Sequence, residues 1–132
     1  MRYGPQLSAA GIRRILIVED ELPVAEGITE LLKGDGLAVD HYVFGREALA
    51  NIERLAPDVL LVDLGLPDMS GADLAQQIAA RHPDLPIILM TGSVPNQTAP
   101  AEVLRLVRGT LEKPFDYPVL VELLLTCGTA PS

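Results

Sequence analysis

The sequence predicts an α/β fold in which helices cover both faces of a parallel sheet, giving a three-layer α/β/α sandwich. Three short runs, at residues 15–18, 59–62 and 87–90, consist wholly of apolar residues. Runs of this length and apolarity are typical of strands that are buried on both sides. The segments between them carry apolar residues at helical spacing, so strands and helices alternate along the chain.

The first apolar run is followed by a predicted helix over residues 22–33. Pro23 suits the first turn of this helix, and Gly34 and Gly36 mark its end. Residues 37–44 alternate more between apolar and polar side chains, which is typical of an edge strand.

Three further helices are predicted, over residues 46–55, 71–81 and 116–127. Ser70 is a suitable N-cap for the second of these, and Asp116 begins the third. Each helix follows or precedes an apolar run, so strands and helices continue to alternate to the end of the chain.

The segment between the fourth and fifth strands, residues 93–108, breaks this regularity. Pro95 and Pro100 interrupt it, and proline is tolerated only in the first turn of a helix. We therefore expect the fourth helix to be short or irregular, around residues 100–106, with the last strand within 105–111.

Five parallel strands with right-handed crossovers are expected, in the flavodoxin-like order 2-1-3-4-5. Folds of this kind bind ligands outside the carboxyl ends of the strands, where the first and third strands diverge. Asp20 and Asp63 follow or end those two strands and are predicted to flank that crevice.

The chain of 132 residues is predicted to form one domain, over residues 14–127. Residues 1–13 have no apolar stretch typical of a signal peptide and are expected to form a flexible tail, as are residues 128–132. No apolar run approaches the roughly 20 residues of a membrane span.

The composition argues against several classes of partner and compartment. A net charge of −8 disfavours direct binding of nucleic acid, and it also serves solubility. Cys127 is the only cysteine, which excludes an internal disulfide and fits a reducing cytosol. The expected location is cytoplasmic, without membrane association.

Acidic side chains follow two of the predicted strands, and a lysine follows a third. Glu19, Asp20 and Glu21 come directly after the first apolar run, Asp63 comes after the second, and Lys113 lies near the end of the chain. Carboxylates crowded at one sheet edge repel one another, and a hard divalent cation relieves that repulsion. The pattern predicts a Mg²⁺ site with one carboxylate available to react.

Four motifs carry a resemblance to a known family: ILIVEDE (15–21), LLVDLGLPDMSG (60–71), ILMTGS (88–93) and LEKPF (111–115). Together, in this order and spacing, they resemble the receiver domain of bacterial two-component response regulators. The likeness extends over nearly the whole folded chain. It implies a signalling module that takes a phosphoryl group from a histidine kinase or a histidine phosphotransfer protein.

The resemblance also implies roles for individual residues. Asp63 falls on the phosphoacceptor, and Thr91 and Lys113 fall on the hydroxyl and the lysine that contact the phosphoryl group. Such a domain catalyses its own phosphorylation and slow dephosphorylation without being a conventional enzyme. The metal ligands implied for Mg²⁺ are Glu19, Asp20, Asp63 and the backbone carbonyl of Gly65.

Two features close to Lys113 bear on how such a domain would signal. Thr110 stands where the family usually has Tyr or Phe, so we expect phosphorylation to order residues 94–105 instead of rotating an aromatic side chain. The resemblance further implies a cis peptide bond between Lys113 and Pro114. The downstream partner is unknown from the sequence, and homodimerisation stays open.

Three other functional classes fit the sequence less well. A phosphohydrolase with an aspartate nucleophile needs a second carboxylate two residues later, where this chain has Gly65. A flavodoxin-like cofactor binder needs a phosphate-binding loop after the first strand, where the acids at 19–21 would repel phosphate. A receiver-fold interaction module that is not phosphorylated is disfavoured because all the expected site residues are present.

Overall fold

The computed structural model describes residues 2–92 and 99–128. Within those ranges, no helix has the length and apolar content needed to cross a membrane. The helices and strands, numbered in chain order, are α1 (Gly4–Ala9), β1 (Arg14–Val18), α2 (Leu22–Gly34), β2 (Ala38–Tyr42), α3 (Gly45–Leu55), β3 (Val59–Asp63), α4 (Gly71–Arg81), β4 (Ile87–Thr91), α5 (Ala101–Leu104), β5 (Gly109–Glu112) and α6 (Tyr117–Thr126).

The sheet confirms the predicted topology. Its five strands lie in the order β2-β1-β3-β4-β5, and every neighbouring pair is parallel. The register pairs Val18 with Val62 and Asp63 with Met90. The carboxyl ends of the central strands therefore lie side by side at one edge of the sheet.

The continuous apolar runs arise because both faces of the sheet are covered. In β1, Ile15 and Ile17 pack into the core under α2 and α6, whereas Leu16 and Val18 pack into the core under α3 and α4. All four side chains are fully buried. Successive residues of a strand point to opposite faces, so a strand covered on both faces must be apolar at every position.

The N-terminal segment differs from the flexible tail that the sequence predicted for residues 1–13. Residues 4–9 form helix α1, and the side chains of Leu7 and Ile12 are buried in the core beside α6. A helix this short buries a single side chain of its own and so leaves no helical period in the sequence. Of the tail expected at 128–132, only Gly128 belongs to the described residues.

Asp35, at the end of α2, is buried and ties the N-terminal segment to α6. Its Oδ1 accepts a hydrogen bond of 2.8 Å from the backbone N–H of Tyr3, and its Oδ2 accepts one of 2.6 Å from the hydroxyl of Tyr117. The two tyrosine rings meet edge to face, 5.8 Å between centroids. Burial opposes ionisation, but the two hydrogen bonds outweigh it and lower the pKa of Asp35.

We expect Tyr117 to make the fold sensitive to alkaline pH. Burial and the hydrogen bond to Asp35 raise the pKa of Tyr117. A raised pKa in the folded state gives stability that is fully present below the ordinary tyrosine pKa of about 10 and is lost as pH rises above it. Urea unfolding of wild type and Tyr117→Phe, at about pH 8 and about pH 11, measures this loss. Parallel losses in the two proteins would contradict the expectation.

The helix between β4 and β5 is short, as the prolines predict. Helix α5 spans four residues, begins after Pro100 and buries Val103. Residues 93–98, including Pro95, lie outside the described residues. The expected ordering of residues 94–105 on phosphorylation therefore stays a prediction.

Candidate functional site

Acidic side chains meet at the carboxyl ends of β1 and β3. Each of Glu19, Asp20, Glu21 and Asp63 offers a carboxylate oxygen, and these oxygens all lie within 4.8 Å of one another. Glu19 is fully buried and Asp63 is only 4% exposed, whereas Asp20 and Glu21 face solvent. The arrangement is a pocket with charged walls that opens on one side.

Lys113, directly after β5, provides a cation at this cluster. Its Nζ lies 2.9 Å from Glu19 Oε1, 3.0 Å from Glu21 Oε1 and 3.3 Å from Asp63 Oδ1. Burial disfavours the charged amine, but the hydrogen bonds to the two glutamates and the charges of Glu19 and Asp63 outweigh it and raise the pKa of Lys113. The lysine therefore stays protonated at any physiological pH.

Glu19 shows how crowded these charges are. Burial is the main reason that its pKa is raised to about 7, and the neighbouring charge of Asp63 adds to the effect, while Lys113 and the backbone N–H of Glu21 act against it. Its main chain is fixed as well, because His41 Nε2 lies 2.7 Å from the carbonyl oxygen of Glu19. A second cation beside the cluster would lower this carboxyl's pKa.

Glu21 also belongs to the site, although the family resemblance did not imply it as a metal ligand. It occupies the N-cap position of α2, but its side chain makes no capping hydrogen bond and instead accepts one from Lys113. The acidic triplet at 19–21 was the sequence feature that pointed to Glu21. The direction of each side chain could not be predicted, because it depends on where Lys113 lies.

Asp63 begins a tight loop that leads into α4. Gly65 pairs with Ser70 across this loop, and the backbone N–H of Gly71 donates to Leu64 O at 2.8 Å. Ser70 Oγ accepts a hydrogen bond of 3.0 Å from the backbone N–H of Asp73, which confirms the predicted N-cap. The loop therefore brings the start of α4 close to the main chain of Asp63.

Gly71→Ala is expected to destabilise the protein by roughly 1–3 kcal/mol, the usual cost of forcing extra atoms into a packed site. A Cβ at this position would overlap the carbonyl oxygen of Asp63, which is backbone and has little room to move. Gly27→Ala, within α2, is the matched control, because its Cβ would meet nothing within 4 Å. The control should gain roughly 0.5–1 kcal/mol from helix propensity. Chemical unfolding of both variants tests the contrast, and equal effects would contradict it.

Asp68 has a structural role that no local pattern in the sequence revealed. Its two carboxylate oxygens accept hydrogen bonds of 2.9 Å from the backbone N–H of Gly45 and 3.0 Å from that of Arg46. These are the first residues of α3, so Asp68 caps that helix from a loop more than twenty residues later. The two N–H groups outweigh the effect of burial and lower the pKa of Asp68.

Asp68→Ala is expected to cost about 1 kcal/mol of stability, as the loss of a helix cap does. The two N–H groups would lose their carboxylate partner, and the loop after Asp63 would lose its tie to α3. Asp84→Ala, at an exposed loop position, controls for the loss of one negative charge. Equal midpoints of denaturation for the two variants would contradict the capping role.

The last two predicted positions lie where β4 and β5 end. The Lys113–Pro114 peptide bond is cis, as the sequence analysis predicted. The backbone N–H of Lys113 donates to Thr91 O at 2.7 Å. The Thr91 hydroxyl donates to Leu111 O at 3.3 Å, and it is the neighbouring Gly92 that lines the cleft.

The charged cluster is part of the lining of a larger cleft. The cavity has a volume of about 620 Å³ and is lined by residues of α2 and of the segment that joins β5 to α6. Its charged lining comes from Asp20, Glu21, Asp63 and Lys113, with Gly65 and Gly92 also present, and its apolar lining comes mainly from Val24, Ile28, Leu31, Phe115 and Tyr117.

The chain is similar to known proteins over most of its length. The sequence profile described as "Response regulator receiver domain" matches residues 15–125. The DNA-binding transcriptional regulator NtrC of Salmonella typhimurium is 34% identical over 110 residues, which are 83% of this chain and 24% of that protein. The transcriptional regulatory protein CreB of Escherichia coli is 38% identical over 77 residues, which are 58% of this chain and 34% of that protein. The chain thus spans only part of the length of these relatives.

Solved structures give the same picture. The signal receiver domain of a Luxo repressor protein from Vibrio parahaemolyticus superposes with a TM-score of 0.75 and 30% identity, over 87% of this chain and 91% of that one. The response regulator TrrA from Thermotoga maritima, solved in complex with Mg²⁺-BeF, has a TM-score of 0.78 and 27% identity, over 88% of this chain and 99% of that one.

Proposed function

The chain belongs to the response regulator receiver family of two-component systems, and from this premise we propose that it accepts a phosphoryl group on Asp63. The donor would be a histidine kinase or a histidine phosphotransfer protein, and the product would switch protein–protein interactions. The observation that carries the proposal is the placement of Asp63, whose carboxylate lies 3.3 Å from Lys113 within a cluster of acids. The cytoplasm, where such kinases present their phosphohistidine, is the proposed location.

The chemistry proposed for Asp63 is a nucleophilic displacement at phosphorus. A carboxylate oxygen forms a bond to phosphorus, the phosphorus–nitrogen bond of the phosphohistidine breaks, and the imidazole leaves. The product is an acyl phosphate. Phosphoryl transfer depends mainly on positioning and on neutralising charge. Lys113 would supply both, and this role is supported by its contact with Asp63 and by its raised pKa, which keeps it protonated.

The donor atoms at this site fit Mg²⁺, which prefers oxygen ligands. Asp20, Asp63, the carbonyl of Gly65 and Glu19, directly or through a water, would hold the ion. Their carboxylate oxygens are close enough together to share one ion. Burial and, to a smaller extent, the charge of Asp63 raise the pKa of Glu19, and a bound cation would favour its ionised form. Bound Mg²⁺ would neutralise charge that develops on the phosphoryl oxygens. The Mg²⁺-BeF complex of the related TrrA supports this assignment.

Thr91 is proposed to respond to the phosphoryl group. Its hydroxyl would exchange the 3.3 Å hydrogen bond to Leu111 for one to a phosphoryl oxygen. A long hydrogen bond between neutral groups is weak, whereas one to an anionic oxygen is roughly twice as strong. The exchange would draw the loop after β4 toward Asp63. Because Thr110 is too small to act as a lever, the change would reach the surface as ordering of residues 94–105.

Incubation of the wild-type protein with acetyl phosphate and Mg²⁺ tests this function against its alternatives. We expect a phosphoprotein that accumulates, with no turnover of a small phosphomonoester such as para-nitrophenyl phosphate. Rapid turnover would identify a phosphohydrolase, for which Gly65 leaves no second carboxylate two residues after the nucleophile. A protein that acquires no phosphoryl group would be an interaction module that keeps only the fold.

A further inference from the structure

The functional site does not account for the group formed by the buried Asp35 and the partly buried Tyr117 and Tyr3. The carboxylate of Asp35 is 5% exposed, and each of its oxygens accepts a hydrogen bond from a different part of the chain. Tyr3 lies before residue 15, where the family match begins. This group is thus partly built from a segment that the family resemblance does not describe.

Tyr117 is the link between this group and the cleft. It is the first residue of α6, and its ring lines the same cavity as Asp63 and Lys113. Its hydroxyl donates to Asp35 and lies 3.3 Å from the carbonyl oxygen of Leu31, so it joins the start of α6 to the end of α2. Asp116, at the N-cap of α6, makes no side-chain capping bond. Tyr117 is therefore the residue at the start of α6 whose side chain is hydrogen-bonded to α2.

The segment that joins β5 to α6 carries Lys113. At its beginning, the backbone N–H of Lys113 is bonded to Thr91 O at 2.7 Å. In the middle, Pro114 and Asp116 are exposed, and Phe115 packs partly against the core. At its end, the hydroxyl of Tyr117 fixes the chain to Asp35. If this last bond is lost, the segment keeps its first anchor, the ion pairs of Lys113 and the packing of the Phe115 and Tyr117 rings, but no hydrogen bond holds its far end to Asp35.

We propose that Tyr117 is a positioning residue for phosphoryl transfer, held by Asp35, and that it keeps the Lys113 segment in the geometry needed at Asp63. The inference rests on the proposed function and adds a residue to it. Because the second oxygen of Asp35 holds Tyr3, the N-terminal segment forms part of the same support. A substitution that removes only the Tyr117 hydroxyl should act on the rate of transfer without touching any reacting atom.

Tyr117→Phe in the full chain tests this proposal. The rate of phosphorylation is measured against acetyl phosphate concentration, with Mg²⁺, at a temperature at which circular dichroism shows every variant folded. We expect the limiting rate to fall roughly threefold to tenfold, within the range of indirect couplings, with little change in the half-saturating concentration. Tyr42→Phe is the matched control. The hydroxyl of Tyr42 contacts Arg54 of α3 at the surface, and its ring packs on the face of the sheet that α3 and α4 cover. Its limiting rate should equal that of wild type.

Asp35→Ala and the double variant show whether the two residues act through one bond. If they do, Asp35→Ala slows transfer as Tyr117→Phe does, and the double variant is no slower than the slower single one. A wild-type limiting rate in folded Tyr117→Phe would overturn the proposal, whatever happens to its thermal stability. Multiplying effects in the double variant would also overturn it. A wild-type protein that takes no phosphoryl group at all would instead overturn the proposed function, and this inference with it.

Discussion

Asp63→Asn is expected to abolish phosphorylation of this protein by acetyl phosphate, with a loss of at least about a hundredfold in rate, because the attacking group itself is removed. The amide has nearly the same shape as the carboxylate but is not a nucleophile at phosphorus. The fold should survive, since Lys113 keeps its contacts of 2.9 Å to Glu19 and 3.0 Å to Glu21. Incorporation of phosphate is followed by phosphate-affinity electrophoresis.

The matched control for this variant is Asp84→Asn. It makes the same chemical change at an exposed position in the loop before β4. Its phosphorylation should proceed as in wild type. A loss of phosphorylation in Asp63→Asn can then be assigned to the position of the residue and not to the change of charge. Undiminished phosphorylation of Asp63→Asn would show that another residue accepts the group.

Asp20→Ala is expected to abolish the phosphorylation that depends on metal. Asp20 is exposed and contributes one of the four clustered carboxylates, so its removal weakens the binding of Mg²⁺ without opening a cavity in the core. The rate in the variant should approach that of wild type in excess chelator. Titration of Mg²⁺ into both proteins, with the rate as the readout, measures the change.

Two controls limit the interpretation of the Asp20 experiment. Asp84→Ala removes an exposed acid away from the cluster and should retain the wild-type dependence on Mg²⁺. Circular dichroism of Asp20→Ala should be unchanged. Full activity of the wild-type protein in excess chelator would contradict the assignment of a metal to this cluster.

Much of the fold and the position of the acids could be predicted because they depend on local patterns. A strand covered on both faces must be apolar at every position, so β1, β3 and β4 are visible in the sequence. Once the strand order is known, the residues that follow these strands must lie at one edge. The closeness of Asp63 and Lys113 follows from that geometry.

Other features could not be predicted, because they depend on side-chain contacts between distant parts of the chain. Asp68 caps α3 although 23 residues separate it from Gly45, and Asp35 joins Tyr3 to Tyr117, 82 residues away from it. No local pattern specifies such partners. Helix α1 was not predicted for a different reason. A helix this short is stabilised by the core that it covers and not by its own sequence.

Mapping of the phosphoryl group on the wild-type protein tests most directly whether Asp63 is the phosphoacceptor. The protein is treated with acetyl phosphate and Mg²⁺, its intact mass is measured, and the modified residue is located by fragmentation under conditions that preserve acyl phosphates. We expect one phosphoryl group per chain, on Asp63, and none when the metal is chelated. An unmodified protein, or a group carried by another residue such as His41 or His82, would contradict it.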